Sequence, residues 1–459
     1  MGFASASSSG GRYMTMTRND FLKTISAGAT FSALPGILKA QQAPSANVAG
    51  ANSKLNIAGI GFGGMGGNNL NTVANKGHTI FALCDVDPNH VKKTREKYPQ
   101  AKFYVDYREM LAQEKSIDGV VIATPDHTHA VIAAAAMKAG KHAFVQKPLC
   151  HDVFECRELM RIAKEKKVVT QMGIQGHAMP GHYLIREWVA AGAIGEITSV
   201  DSWCDLSYYP WGHAYWSSCI GSKPKEKMPL PEGMNWEIFI GPAEMRDFHR
   251  AYHPGSWRAW WDFGNGMMGD RGAHTLDVVF ELLNRRMPVA IDATSCGNNP
   301  DTHPLSAVIT FTFAKPDLKV TWYEGTRPPR PVELPDDQKL PAEGGIILNG
   351  TEGKIIAGVY GDSPRIIPEA RMKSFKRPEP TLIRPKGGIE GDWLSAIVEG
   401  RQACADFDYS ARLTEFALLG NIAKRADTRL VWDEAAMKVT NIEKANEWIK
   451  CSRRPGWEL

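Results

Sequence analysis

The feature that most limits how this chain can fold is a short apolar run that passes directly into glycine: Leu55-Asn56-Ile57-Ala58-Gly59-Ile60-Gly61-Phe62-Gly63-Gly64-Met65-Gly66. The pattern predicts a buried strand, a tight turn and a helix in immediate succession. Gly59, Gly61 and Gly64 carry the spacing G-x-G-x-x-G. Missing side chains there let the chain turn sharply, let its backbone approach a pyrophosphate, and let the helix lie directly on the strand. Phe62, Gly63 and Met65 belong to the same turn and are expected to touch the same ligand. The first N–H groups of the helix would then face the phosphates.

Thr79-Ile80-Phe81-Ala82-Leu83-Cys84 reads as a second strand and ends at Asp85, 21 residues beyond Gly64. A carboxylate at that distance suits ribose hydroxyls and repels a 2′-phosphate, so the expected dinucleotide is NAD rather than NADP. The alternative for Asp85 is a strand-end helix cap. A further apolar strand, Gly119 to Thr124, breaks at Pro125 and leads through Asp126-His127-Thr128-His129 into an alanine-rich helix ending near Lys138. The strand after Gly140 closes on Val145-Gln146-Lys147-Pro148. Strand and helix in repeating order predict an α/β fold with a doubly wound parallel sheet, whose ligands sit beyond the carboxyl ends of the strands. Thr124, Pro125, His127, His129, Gln146 and Lys147 all fall at such ends.

At 459 residues the chain is long enough for two domains. The expected division is a leading segment over 1–50, a Rossmann domain over 54–172, and a second domain over 173–459. A net charge of +4 argues against a dedicated nucleic-acid surface and points to a small molecule as partner. The eight cysteines are scattered without a C-x-x-C pair, so neither a zinc ribbon nor a disulfide framework is predicted. No apolar run after residue 50 approaches the about 18 residues needed to span a bilayer, so stable membrane insertion is not expected.

In the second half, Gln175-Gly176-His177 precedes a helix around Tyr183 to Ala191. Seven of the thirteen tryptophans lie between Trp203 and Trp261. At that density they must fill a core or wall a pocket, and flat apolar faces suit sugar rings. The most informative stretch is Trp260-Trp261-Asp262-Phe263-Gly264-Asn265-Gly266-Met267-Met268-Gly269-Asp270-Arg271-Gly272-Ala273-His274. On a helix, Asp270 and His274 share a face. Trp260 and Trp261 beside them, with Gln175, His177 and His182, are candidates for a carbohydrate site. The H-x-H at His127 and His129 is read as cofactor contact and helix start, and no metal is expected.

These motifs together resemble the Gfo/Idh/MocA oxidoreductases, through Gly59 to Gly66, Ala123-Thr124-Pro125-Asp126-His127-Thr128-His129 and Gln146-Lys147-Pro148. The usual tripeptide there is Glu-Lys-Pro; Gln146 keeps a hydrogen-bonding side chain and removes a negative charge beside the lysine. The resemblance implies that Lys147 faces nicotinamide and substrate, that Asp270 and His274 face it across a cleft, and that His274 serves as acid or base on a hydroxyl. It also implies that the second domain is α+β with an open, largely antiparallel sheet, and that the chain forms a homo-oligomer through that sheet. Thr17-Arg18-Asn19-Asp20-Phe21-Leu22-Lys23 resembles a twin-arginine export signal with Asn19 at the second arginine position, which implies a bacterial, periplasmic location, or a cytoplasmic one where the signal does not work. Hydride can leave a carbinol only as its hydroxyl proton is taken, so the expected activity is NAD-dependent oxidation of a sugar, glycoside or polyol, with Lys147, Asp270 and His274 as the acting residues. A glycoside hydrolase working through transient C3 oxidation, elimination and re-reduction uses the same residues. A sugar-binding protein loaded with NAD but without turnover stands as the third reading.

Overall fold

The structure is a computed structural model that describes residues 54–206, 222–314 and 317–459. The export-signal motif lies outside the described residues, as do Tyr208, Tyr209 and Tyr215. Among the described residues no helix is long and apolar enough to cross a membrane.

The first half builds the expected parallel sheet. Its strands are β1 (Asn56–Ile60), β2 (Thr79–Cys84), β3 (Lys102–Tyr104), β4 (Gly119–Ile122), β5 (His142–Gln146) and β6 (Thr170–Gly173), in the order β3-β2-β1-β4-β5-β6. Every neighbouring pair is parallel. The order reverses beside β1, which opens a crevice at the carboxyl ends of β1 and β4. β4 and β5 are buried along their whole length, which is why their sequences are continuous apolar runs rather than alternations. Helix α1 (Met65–Asn75) follows the glycine turn, and α2 (Asp126–Lys138) starts at the Pro125 break. Proline has no N–H to lose at a helix start, and its fixed φ leads into the first turn.

The second half forms a nine-stranded sheet in which one neighbouring pair of long strands, Ile197–Cys204 and Asp317–Glu324, is parallel and the others are antiparallel. Strand Ser306–Ala314 alternates buried and half-buried residues, the signature of a sheet packed on one face. The packed face is covered by the helix Phe407–Ala426, whose Phe416 meets Phe311 and Phe313. That helix also packs on Val153–Lys166 of the first half, so the two sheets share one core. The helix Gly388–Glu399, far along the chain, returns to the first sheet: Trp393 packs on Phe144, and a Cβ at Gly119 would sit 3.0 Å from its ring. The aromatic stretch resolves into a separate small core of Trp236, Phe239, Phe248, Tyr252, Trp257, Trp260 and Phe263, with Val86 of the first half packed against it.

Candidate active site

A cleft of about 440 Å³ lies between the two halves, and its floor is the glycine turn. Gly61 has φ +75°, where L side chains are strained, and a Cβ there would sit 2.8 Å from Thr124 N. Gly59 is held against Leu70, and a Cβ at Gly66 would lie 2.1 Å from Gly61 O. Gly59 thus brings the strand close to the helix, and Gly66, inside α1 and outside the motif's count, brings the helix close to the turn. Gly64 has nothing within 4 Å of its missing side chain and lines the cleft. Helix α1 begins without a side-chain cap and without an acidic residue in its first turn, so its leading N–H groups and its dipole are left for an anion. Asp85 lines the same end; its Oδ2 accepts from Phe62 N at 3.0 Å and its Oδ1 from Asp87 N at 3.0 Å. Burial pushes its carboxyl up to about 6, despite those two donors. An open glycine cradle, an uncapped helix start and a carboxylate at the end of β2 fit the pyrophosphate and ribose of NAD. Thr124, Pro125, His129, Gln146, Gly63 and Met65 also line the cleft.

At the other end Lys147, just past β5, places Nζ 2.6 Å from Asp270 Oδ1 and donates to Asp270 O at 2.9 Å. Asp270 sits in a wide π-type turn, Met268–Gly272, that runs straight into the helix Ala273–Leu282 carrying His274. Such turns recur at functional sites because the extra residue re-aims side chains. Burial alone would raise the Asp270 carboxyl; Lys147 and then Arg258 hold it well below the usual carboxylate range. Burial and the neighbouring Lys147 charge lower His274 to about 3, so its ring is neutral. His274 packs edge-on to Tyr360, and its Nδ1 is buried with no hydrogen-bond partner among the described residues. Gln175 Oε1 is buried without a partner as well. Two unpartnered polar atoms on residues lining one cleft are what a ligand would satisfy. Gln146 donates to Asn69 Oδ1 at 2.9 Å, and the carboxylate paired with Lys147 is that of Asp270.

Several expected site residues lie elsewhere. The ring of Phe62 is fully buried against Phe103, and only its backbone serves the site. His127 is buried between the carbonyls of Phe239 at 2.9 Å and Phe263 at 3.2 Å, behind the cleft wall. Trp260 fills the small aromatic core, its Nε1 donating to Ala251 O, and Trp261 stacks on His303 while donating to Asn299 O. A large ring is worth most where it is desolvated on all sides, and both indole N–H groups find backbone acceptors there. His177 and His182 are buried around Asp277, with Nδ1 atoms 2.9 and 3.2 Å from its carboxylate, to which Tyr409 also donates at 2.6 Å. Burial opposes that charge, but the two imidazoles hold Asp277 far below the carboxylate range. The three ligand atoms lie within 4.8 Å of one another, a grouping of metal-binding types that the sequence reading missed. Arg186 approaches His182 Nε2 at 3.4 Å, which puts the lone pair on Nε2 and the proton on Nδ1, toward the carboxylate. That tautomer makes the cluster a hydrogen-bonded anchor for the helix of His274.

The cleft also gathers residues to which the sequence assigned no role. Asp126, one turn position from the expected Pro125 and His127, accepts from Asn265 N at 3.0 Å, and burial pushes its carboxyl up to about 7 against the pull of Arg258. His253, Trp257, Arg258 and Tyr360 reach the cleft from separate segments with no periodicity to mark them, and Arg271 joins them from the turn that carries Asp270.

Two family descriptions match the chain: "Oxidoreductase family, NAD-binding Rossmann fold" over residues 55–174 and "Oxidoreductase family, C-terminal alpha/beta domain" over residues 185–459. Among curated relatives, an inositol 2-dehydrogenase of Salmonella paratyphi B is 29% identical over 147 residues, 31% of this chain and 43% of that protein. A glycosyl hydrolase family 109 protein of Solibacter usitatus is 31% identical over 200 residues, 40% of this chain and 44% of that one. The matches thus span less than half the length of these relatives. Among solved structures, the WlbA dehydrogenase from Bordetella pertussis, in complex with NADH and UDP-GlcNAcA, has a TM-score of 0.59 at 16% identity, covering 83% of this chain and 99% of that one. With both halves matched and the parallel sheet, glycine cradle and Lys147–Asp270 cleft in place, the chain belongs to the Gfo/Idh/MocA oxidoreductase family, with an NAD-binding Rossmann fold.

Proposed function

We propose that the protein oxidises a hydroxyl of a sugar, glycoside or polyol, with NAD as hydride acceptor. The observation that carries this reading is the Lys147–Asp270 pair set beside a neutral, buried His274 whose Nδ1 has no partner among the described residues, at the far end of a dinucleotide cradle. NAD, when bound, supplies the carbon that takes the hydride. His274 takes the hydroxyl proton at Nδ1, which only a neutral ring can do. Lys147 Nζ donates to the same oxygen as it becomes a carbonyl, and Asp270 holds the ammonium in place. Gln175 Oε1 accepts from a neighbouring hydroxyl. The names of the relatives, inositol 2-dehydrogenase and levoglucosan dehydrogenase, support a polyhydroxylated substrate.

If Lys147 and His274 act on one oxygen, Lys147→Ala and His274→Ala each lower turnover by a factor on the order of 100 or more. The double variant is little worse than either single one, because residues acting as a unit share one loss. Both variants keep NAD, held by the glycine turn. Near-normal turnover in His274→Ala, or loss of activity through loss of NAD, counts against the assignment.

The likeness to glycosyl hydrolase family 109 proteins favours a second reading, in which the same residues open a glycosidic bond by oxidation at C3, elimination of the aglycone, hydration and re-reduction. Product analysis separates the two: a ketose or ketosugar with NADH for net oxidation, a free aglycone without NADH for net hydrolysis. A homo-oligomer through the C-terminal sheet belongs to the same family reading, and light scattering of the purified protein measures it.

A further inference from the structure

The end of the cleft that holds Lys147 carries more positive charge than its own carboxylates offset. Among the described residues lining it, three are cations, Lys147, Arg258 and Arg271, and two are carboxyls, Asp126 and Asp270. All three cations face Asp270: Lys147 Nζ lies 2.6 Å from Oδ1, Arg258 Nε 3.9 Å from Oδ1, and Arg271 Nε 3.7 Å from Oδ2. Only the lysine is within hydrogen-bond distance of it, and one carboxylate offsets one charge. Asp126 adds at most one more, since burial pushes its carboxyl up to about 7, and its Oδ2 already accepts from Asn265 N. Glu343 meets Arg271 Nη2 at 3.5 Å from outside, and a carboxylate that is 59% exposed is screened by water. At least one positive charge is therefore left over in a partly desolvated cleft, where it is costly without an anion.

Both guanidinium groups are held where a ligand can reach them. Arg258 stands on the short turn Ser256–Ala259 with its guanidinium carbon 4.1 Å from the centre of the Trp257 ring. A Cβ at Gly264 would lie 2.6 Å from Arg258 Cα, so glycine there seats the arginine. Arg271 follows Asp270 in the wide turn Met268–Gly272. A guanidinium offers paired N–H groups in one plane, which is the shape a carboxylate accepts. The same end presents His274 Nδ1 and Gln175 Oε1, buried and without partners among the described residues, to hydroxyls.

We propose that the substrate is a sugar acid, a polyhydroxylated carboxylate of the uronic or aldonic class, whose carboxylate lies with Arg258 and Arg271 while its reacting hydroxyl meets Lys147 and His274. The inference rests on the oxidation reading above and names its substrate class. The carboxylate takes no part in hydride or proton transfer. By anchoring one end of the molecule it fixes which hydroxyl faces His274. A neutral sugar brings nothing to offset the surplus charge and binds more weakly.

The test compares matched acid and neutral pairs on NAD-loaded protein: D-glucuronate with D-glucose, D-galacturonate with D-galactose, and D-gluconate with D-glucitol. The two uronate pairs are also offered as nitrophenyl glycosides, and a hexose phosphate serves as a different anion. Turnover is read as NADH or nitrophenol, and binding by calorimetry. In at least one pair the acid is expected to exceed its neutral mate by about 10-fold or more in kcat/KM or affinity. Arg271→Gln lowers that acid-to-neutral ratio by about 10-fold through KM, and Arg271→Lys, which keeps the charge, restores most of it. Retained NAD shows that each variant is folded. Neutral mates used as well as the acids in every pair, a preference for the hexose phosphate, or an unchanged ratio in Arg271→Gln overturns the sugar-acid assignment and leaves the oxidation reading standing. No turnover and no binding of any member, acid or neutral, overturns that reading as well.

Discussion

We propose that Asp85 selects the cofactor and makes its binding depend on pH. Its carboxyl titrates near 6 because burial penalises the charge, while two ribose hydroxyls can donate only to lone pairs that the ionised form keeps free. Ribose binding favours the carboxylate, so NAD binding releases a proton around pH 5–6. Affinity for NAD therefore rises with pH through that window and levels off above about pH 7. In titrations of NAD-free protein at pH 5 and pH 7.5, Asp85→Asn should flatten this slope and narrow the preference against NADP. A wild-type protein that prefers NADP would contradict the role. Distance along the chain was enough to find Asp85, because strand, turn and helix occupy set lengths. Asp126 was given no role although it stands inside a recognised motif, since its standing depends on Asn265 and Arg258, which approach from the other half.

At the scale of elements, helix Phe407–Ala426 joins the two halves, and it carries a lysine into its core. Lys424 Nζ lies 2.8 and 2.9 Å from the two oxygens of Glu324, both residues almost wholly buried, and Trp322 Nε1 donates to the same carboxylate at 3.1 Å. Burial lowers the Lys424 ammonium, and Glu324 restores part of it. Removing one partner leaves a buried charge unpaired: Lys424→Met should cost about 3–5 kcal/mol in urea unfolding. The paired change Lys424→Met with Glu324→Leu should recover most of that loss, since the desolvation cost disappears with both charges. Equal destabilisation in the single and double variants would show that the pair acts through packing alone. Nothing in the local sequence marks this pair, because Glu324 sits at a strand end and Lys424 in a helix a hundred residues later.

At the scale of the whole molecule, the described fold begins near Lys54, and we propose that residues 1–50 direct export. Fractionation of bacterial cells producing the full chain should place a shortened protein in the periplasm, and a chain lacking residues 1–50 should stay in the cytoplasm and still bind NAD. Full-length protein found only in the cytoplasm would set the proposal aside. The amino-acid sequence alone determined the parallel sheet, the glycine cradle, Asp85, Lys147 and the D-x-x-x-H pair. Those features depend on local periods and backbone freedom, which are written into neighbouring residues. Which aromatic residues wall the cleft and which fill a core was settled only by tertiary structure. Trp257 and Trp260 are three residues apart with the same chemistry and share the small aromatic core, yet Trp257 also reaches the cleft while Trp260 is sealed, its Nε1 donating to Ala251 O. The same holds for His177 and His182, read as sugar ligands and found clamped on Asp277 a hundred residues away. A side chain's partner across the fold is a matter of three-dimensional closure, and a linear pattern carries no record of it.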